Sequence, residues 1–142
     1  PVEAGGRWIR RNQWHVTLRY FGAADEDEVV GSLSAVSHGP VTAVVGPTVA
    51  LLGEGVVHLP VSGLDSLAAE IVSATAGLGR PPEDRPFRGH LTLARLAAPV
   101  PDDVLGQPFS AAFAVGSFLL VASEAGSTAA RYRTVATFPL SG

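Results

Sequence analysis

Two short stretches bring together residue types suited to proton transfer: His15-Val16-Thr17-Leu18 and His90-Leu91-Thr92-Leu93, 75 positions apart. Side chains at i and i+2 of a β-strand project from one face. His15 and Thr17 therefore share a face, with Trp14, Val16 and Leu18 behind them. The second copy repeats the pattern, His90 and Thr92 in front of Leu91 and Leu93. Each strand offers an imidazole and a hydroxyl on the side away from its apolar face. If the two strands lie side by side, two His and two Thr converge. One copy alone carries little weight; the duplication is what points to chemistry.

Two facing imidazoles suit hydrolysis of a phosphodiester. One group must take a proton from the attacking water while another gives one to the leaving oxygen. Histidine titrates near neutrality and can do either job. The Thr hydroxyls can donate to the non-bridging phosphoryl oxygens, and an Arg can offset the charge of the transition state. This scheme needs no metal and no cofactor. A rival arrangement makes the histidines a metal pair, but it lacks a convincing third ligand. His38 falls at a helix end and His58 in a Val-rich strand, and both read as structural. The chain has no cysteine, which removes thiolate zinc sites, disulfides and thiol nucleophiles.

The elements that must hold these motifs follow from periodicity and punctuation. Residues 14–20 alternate apolar and polar and predict a strand ended by Gly22. Asp25 with Glu28 is a capping pattern for a helix to about Ser37, so the acids of this cluster read as structural. Residues 41–52 and 56–61 read as hairpin strands around Gly53-Glu54-Gly55, with a bend at Pro47. Leu64, Leu67, Ala68, Ile71, Val72, Thr75 and Leu78 mark an amphipathic helix over 64–78, stopped by Gly79. A Pro-rich loop leads to a strand at 89–95, then a short turn of helix near Asp102, then closing strands at 111–123 and 131–138. The order is β-α-β-β-α-β-(α)-β-β, an α+β layout with mostly antiparallel strands.

The composition sets bounds. With 142 residues, 46% of them hydrophobic, the chain fits a single domain over residues 1–142 with a sizeable core. A formal net charge of −3 leaves no global footprint for gripping long nucleic acid and favours short substrates. Apolar runs fall far short of the roughly 20 residues of a membrane helix. The first residues lack the pattern of a secretory signal, so a cytoplasmic location is expected.

At these motifs the sequence resembles the 2H phosphoesterase superfamily, within it the RNA 2′,3′-cyclic phosphodiesterase branch historically called 2′-5′ RNA ligase. Arg7-Trp8-Ile9 leading to Trp14 through Gly22 is similar to that branch's first motif region, and Arg85 through Arg95 to its second. Phe118 through Glu124 and Arg131 through Leu140 are similar to its closing strands. The resemblance implies a bilobal α+β fold, two mostly antiparallel sheets related by a pseudo-two-fold axis with helices outside. It implies that His90 activates water, that His15 protonates the leaving 3′ oxygen, and that Thr17 and Thr92 bind phosphate oxygens. The product would be a 2′-phosphate.

The resemblance also makes Tyr20 and Arg95, each five residues after a histidine, substrate contacts. In an ideal strand both have the wrong parity, so a bulge or a strand end must re-aim them. Parity alone favours Arg88 and Arg19. Two departures stand out: Gly89 replaces a proline common in the family, and the first motif region is reached almost at once, so the strand and helix that usually precede it are expected either to lie ahead of residue 1 or to be lacking. The substrates implied are RNA 3′ ends or small cyclic nucleotides, with no membrane and no obligatory protein partner. Other readings are 2′-5′ joining of RNA ends and a non-catalytic nucleotide or RNA-end binding module, although a binder has no need of two proton-transfer groups.

Overall fold

Asp25 accepts a hydrogen bond from the backbone N–H of Glu28 at 3.0 Å and so starts helix α1, Glu26–Leu33. Three acids in the first turn suit the positive end of the helix dipole. The computed structural model describes residues 6–9, 14–52, 55–82, 84, 86–96, 103–124 and 131–141. Besides α1 these form β1 (Gly6–Trp8), β2 (Val41–Val45), β3 (Ala50–Leu52), β4 (Val56–Ser62), α2 (Asp65–Ala74), β5 (His90–Leu96), β6 (Ala111–Val115), β7 (Ser117–Glu124) and β8 (Arg131–Pro139). A six-stranded sheet runs in the order β1-β5-β4-β2-β6, with β3 paired to β4, and β7 and β8 form a second sheet. The pairings β1–β5, β2–β4, β3–β4, β4–β5 and β7–β8 are antiparallel.

The chain divides into two units, each assembled from three segments. The first is built from Pro1–Leu18, Thr42–Asp65 and Pro86–Phe113, the second from Arg19–Val41, Ser66–Arg85 and Ala114–Gly142. In the first, Val57, Leu59 and Val61 of β4 are buried on one face with Ala94 of β5; Val56, His58 and Pro60 lie on the other, where His58 alone of the three is also buried. In the second, Leu67, Ala68 and Ile71 of α2 and Val29 and Leu33 of α1 are buried. So are Phe118 and Phe138, whose rings stack with centroids 5.0 Å apart. An exposed Arg133–Glu26 ion pair at 2.9 Å joins β8 to α1.

Several expectations need correction. Residues 14–20 do not form a full strand: one antiparallel bridge, Val16 to Leu91, is all that pairs there. The helices are shorter than their periodic stretches. α1 ends at Leu33 with Ser34 as its cap, and α2 ends at Ala74, where Thr75 turns its hydroxyl back onto the Ile71 carbonyl at 2.6 Å. The strand expected over 111–123 breaks at Gly116 into β6 and β7. β1 is a strand that the periodicity of the sequence does not predict. Pro47 does interrupt the first hairpin strand, between β2 and β3. Asp102, where a turn is expected, lies outside the described residues, and 103–106 form a turn.

Candidate active site

The two His-x-Thr motifs meet in the first unit. The Val16–Leu91 bridge sets an antiparallel register in which His15 stands opposite Thr92 and Thr17 opposite His90. On the other side of β5, Thr92 pairs with His58 and His90 with Pro60. Directly opposed residues share a face, so two rows cross the sheet: His15, Thr92, His58, and Thr17, His90, Pro60. Leu91 pairs with buried Leu59 and turns toward the core. Trp14 links the first motif to the residue just beyond β1, its exposed indole N–H donating to the Ile9 carbonyl at 3.0 Å.

The start of β5 is fixed by close backbone contact. Gly89 accepts from the Val61 N–H at 2.9 Å, and a Cβ on Gly89 would stand 2.3 Å from the Val61 carbonyl oxygen. Only glycine fits there. The next residue, His90, places Nδ1 3.0 Å from the Arg88 carbonyl. A carbonyl can only accept, so Nδ1 carries a proton; in the neutral ring Nε2 then keeps its lone pair, which is the tautomer a general base requires.

His58, read from the sequence as structural, belongs to this site. Its ring meets that of His90 edge to face, centroids 5.7 Å apart at 84°. Both line a cavity of about 360 Å³ with Phe87, Arg88, Ser62 and Asp65. Burial, and after it the charge of His90, hold the His58 pKa below the usual histidine value, outweighing the opposite pull of the Val56 and Ala50 backbone. The clue in the sequence is its place two residues before Pro60 in a strand of buried valines. That signal could not say which strand would lie alongside.

The arginines sort differently from their strand parity. Between Val57 and His58 the β4–β5 register shifts: His58 pairs with Thr92, but Val57 pairs with Ala94, so Leu93 is left over as a bulge. Past the bulge, Ala94 faces the core and Arg95, opposite Val56, joins the face of His58. Arg88 is exposed and lines the cavity with His90. Arg19, favoured by parity, is structural. It belongs to the second unit, where its guanidinium donates to the carbonyls of Thr75 (2.9 Å), Leu78 (2.8 Å) and Arg80 (3.1 Å) and to the Thr75 hydroxyl. Cations suit helix C-termini, and the end of α2 is where it binds. Tyr20 also belongs to the second unit, 63% exposed, with the Arg80 guanidinium 5.5 Å from its ring centroid. His38 is held by its Gly39 carbonyl and the Ser66 hydroxyl.

Among the described residues no three His, Asp or Glu gather as metal ligands, and no helix is long and apolar enough to cross a membrane.

An antiparallel face carrying two His-x-Thr pairs, in an α+β chain, defines a 2H phosphoesterase. Comparison with known proteins agrees: the profile of the 2′-5′ RNA ligase superfamily matches residues 3–126, and the chain belongs to that superfamily, one of phosphoesterase-type enzymes. Among solved structures it is similar to TT0787 of Thermus thermophilus, with 28% identity and a TM-score of 0.81 over 97% of this chain and 84% of that one. It is similar to a protein described as a phosphoesterase (25%, TM-score 0.77, covering 98% and 83%). It also resembles E. coli LigT complexed with ATP (26%, TM-score 0.74, covering 100% and 83%). No curated protein matches.

Proposed function

We propose that this protein hydrolyses 2′,3′-cyclic phosphates at RNA 3′ ends, or in small cyclic nucleotides, to 2′-phosphates. The observation that carries this reading is the Val16–Leu91 bridge, whose register sets two imidazoles and two hydroxyls on one face. His90, with its proton on Nδ1, takes the proton of the attacking water at Nε2. His15 gives a proton to the leaving 3′ oxygen, so the cyclic ester opens in one displacement with base and acid on different strands. Thr17 and Thr92 donate to the non-bridging oxygens. Arg95, and Arg88 at the cavity, offset the negative charge of the phosphoryl group. A ligand of nucleotide size is in keeping with the ATP complex of E. coli LigT.

The test is cleavage of an oligonucleotide ending in a 2′,3′-cyclic phosphate, with EDTA present, by the native chain and by His90→Ala. Release of a 2′-phosphate end by the native protein alone is the expected result. No turnover by the folded native chain on this substrate or on cyclic mononucleotides would leave a binding module.

A further inference from the structure

His58 is 8% exposed although its ring carries two polar nitrogens. Its Nδ1 is sealed from solvent without a well-formed hydrogen bond, and the pull of the Val56 and Ala50 backbone on the ring is outweighed by burial. Strand register places it: opposite Thr92 on β5, with Pro60 opposite His90, so that His58 is the diagonal neighbour of His90 on the face bearing both motifs. There the two rings meet edge to face, at 5.7 Å and 84°. Such contacts between flat rings are directional and resist rotation of either partner.

His90 needs a restraint of this kind. Its bond to the Arg88 carbonyl spans only two residues and is exposed. Water can compete for both groups, and neutral histidine left to itself prefers the proton on Nε2. A second ring against the imidazole restricts the torsions by which it would swing away. Burial keeps His58 itself neutral, so it adds no charge beside a base that becomes cationic when it takes up a proton.

We propose that His58 is a positioning residue for His90, a flat wall that keeps Nδ1 on the Arg88 carbonyl and so leaves Nε2 as the free base. The inference rests on the proposed reaction in one respect, the assignment of His90 as base.

The test reads the His90 tautomer directly, by ¹⁵N-resolved NMR of the imidazoles at a pH where they are neutral, in the native chain and in His58→Ala, His58→Phe and His58→Leu. The native chain and His58→Phe, which keeps a ring, are expected to hold the proton on Nδ1. His58→Ala and His58→Leu are expected to shift it toward Nε2. With the cyclic phosphate substrate, kcat falls about 10-fold in the variants without a ring, KM changes by less than about 3-fold, and His58→Phe restores kcat. An unchanged tautomer in folded His58→Ala overturns the proposal, as does a His58→Phe protein that loses the Nδ1 proton. Should His58→Ala fail to fold, His58→Leu, which fills the space without a flat face, decides in the same way. If the native chain turns over no cyclic phosphate, the reaction is wrong while the tautomer shift still tests the positioning role.

Discussion

Arg95 pairs with Val56 across the β4–β5 ladder, on the face of His58, although it stands an odd number of residues after His90. The bulge at Leu93 is the reason: it inserts one residue between the motif and the arginine and so reverses their parity. Arg95→Ala is expected to raise KM for cyclic phosphate ends about 10-fold with a smaller change in kcat, the loss of one charge-assisted contact to the phosphate. Steady-state kinetics check this, and an unchanged KM would remove Arg95 from the site.

His15→Ala and His90→Ala should each lower turnover by about 10²-fold or more, the usual weight of a general acid or base. Neither histidine is among the buried core residues, so both variants should fold, which circular dichroism would show. Near-native turnover in either would rule out the two-histidine scheme.

Gly89→Ala puts a methyl group 2.3 Å from the Val61 carbonyl oxygen. The strands must part where β5 begins, at a cost of about 1–3 kcal/mol, and His90 moves with them. Lower stability together with lower kcat is the expected pair of results; a loss of stability with kcat intact would mean that Gly89 does not position His90.

Arg19→Lys keeps the charge but not the fork of donors that serves three carbonyls and a hydroxyl. We expect a loss of about 2 kcal/mol, visible as a lower urea midpoint. Equal midpoints would show the guanidinium to be dispensable.

Stability should also depend on His58 and pH. The folded state holds this imidazole below its usual pKa of 6.5, so the unfolded chain binds the proton first. The contribution is therefore complete above pH about 6.5 and is lost as pH falls toward the lower folded value. Urea midpoints at pH 7.5 and 5.0 should fall further in the native chain than in His58→Phe. Equal falls would mean that His58 takes up its proton as readily folded as unfolded.

The two motifs could be read from the sequence because alternation and duplication are local properties. So could the Asp25 cap and the Pro47 bend. What failed were matters of partnership. Residues 14–20 alternate like a strand, but Arg19 is drawn to the carbonyls at the end of α2 and the pairing stops at Val16. The bulge that re-aims Arg95 depends on two strands at once, and nothing within 89–95 announces it. His58 looked structural because a histidine among valines is usually satisfied within its own strand; its neighbour lies 32 residues further along the chain.

The pairing of Val16 with Leu91 also sets a schedule for synthesis. At usual rates of translation, roughly 4–15 s pass between the making of one partner and the making of the other. Throughout that interval the first motif has no strand to join, and Trp14 and Val16 wait on an unfinished edge. The active face is thus a late product of folding, and premature termination or cleavage ahead of residue 90 would yield a chain with half of the motifs and none of the site.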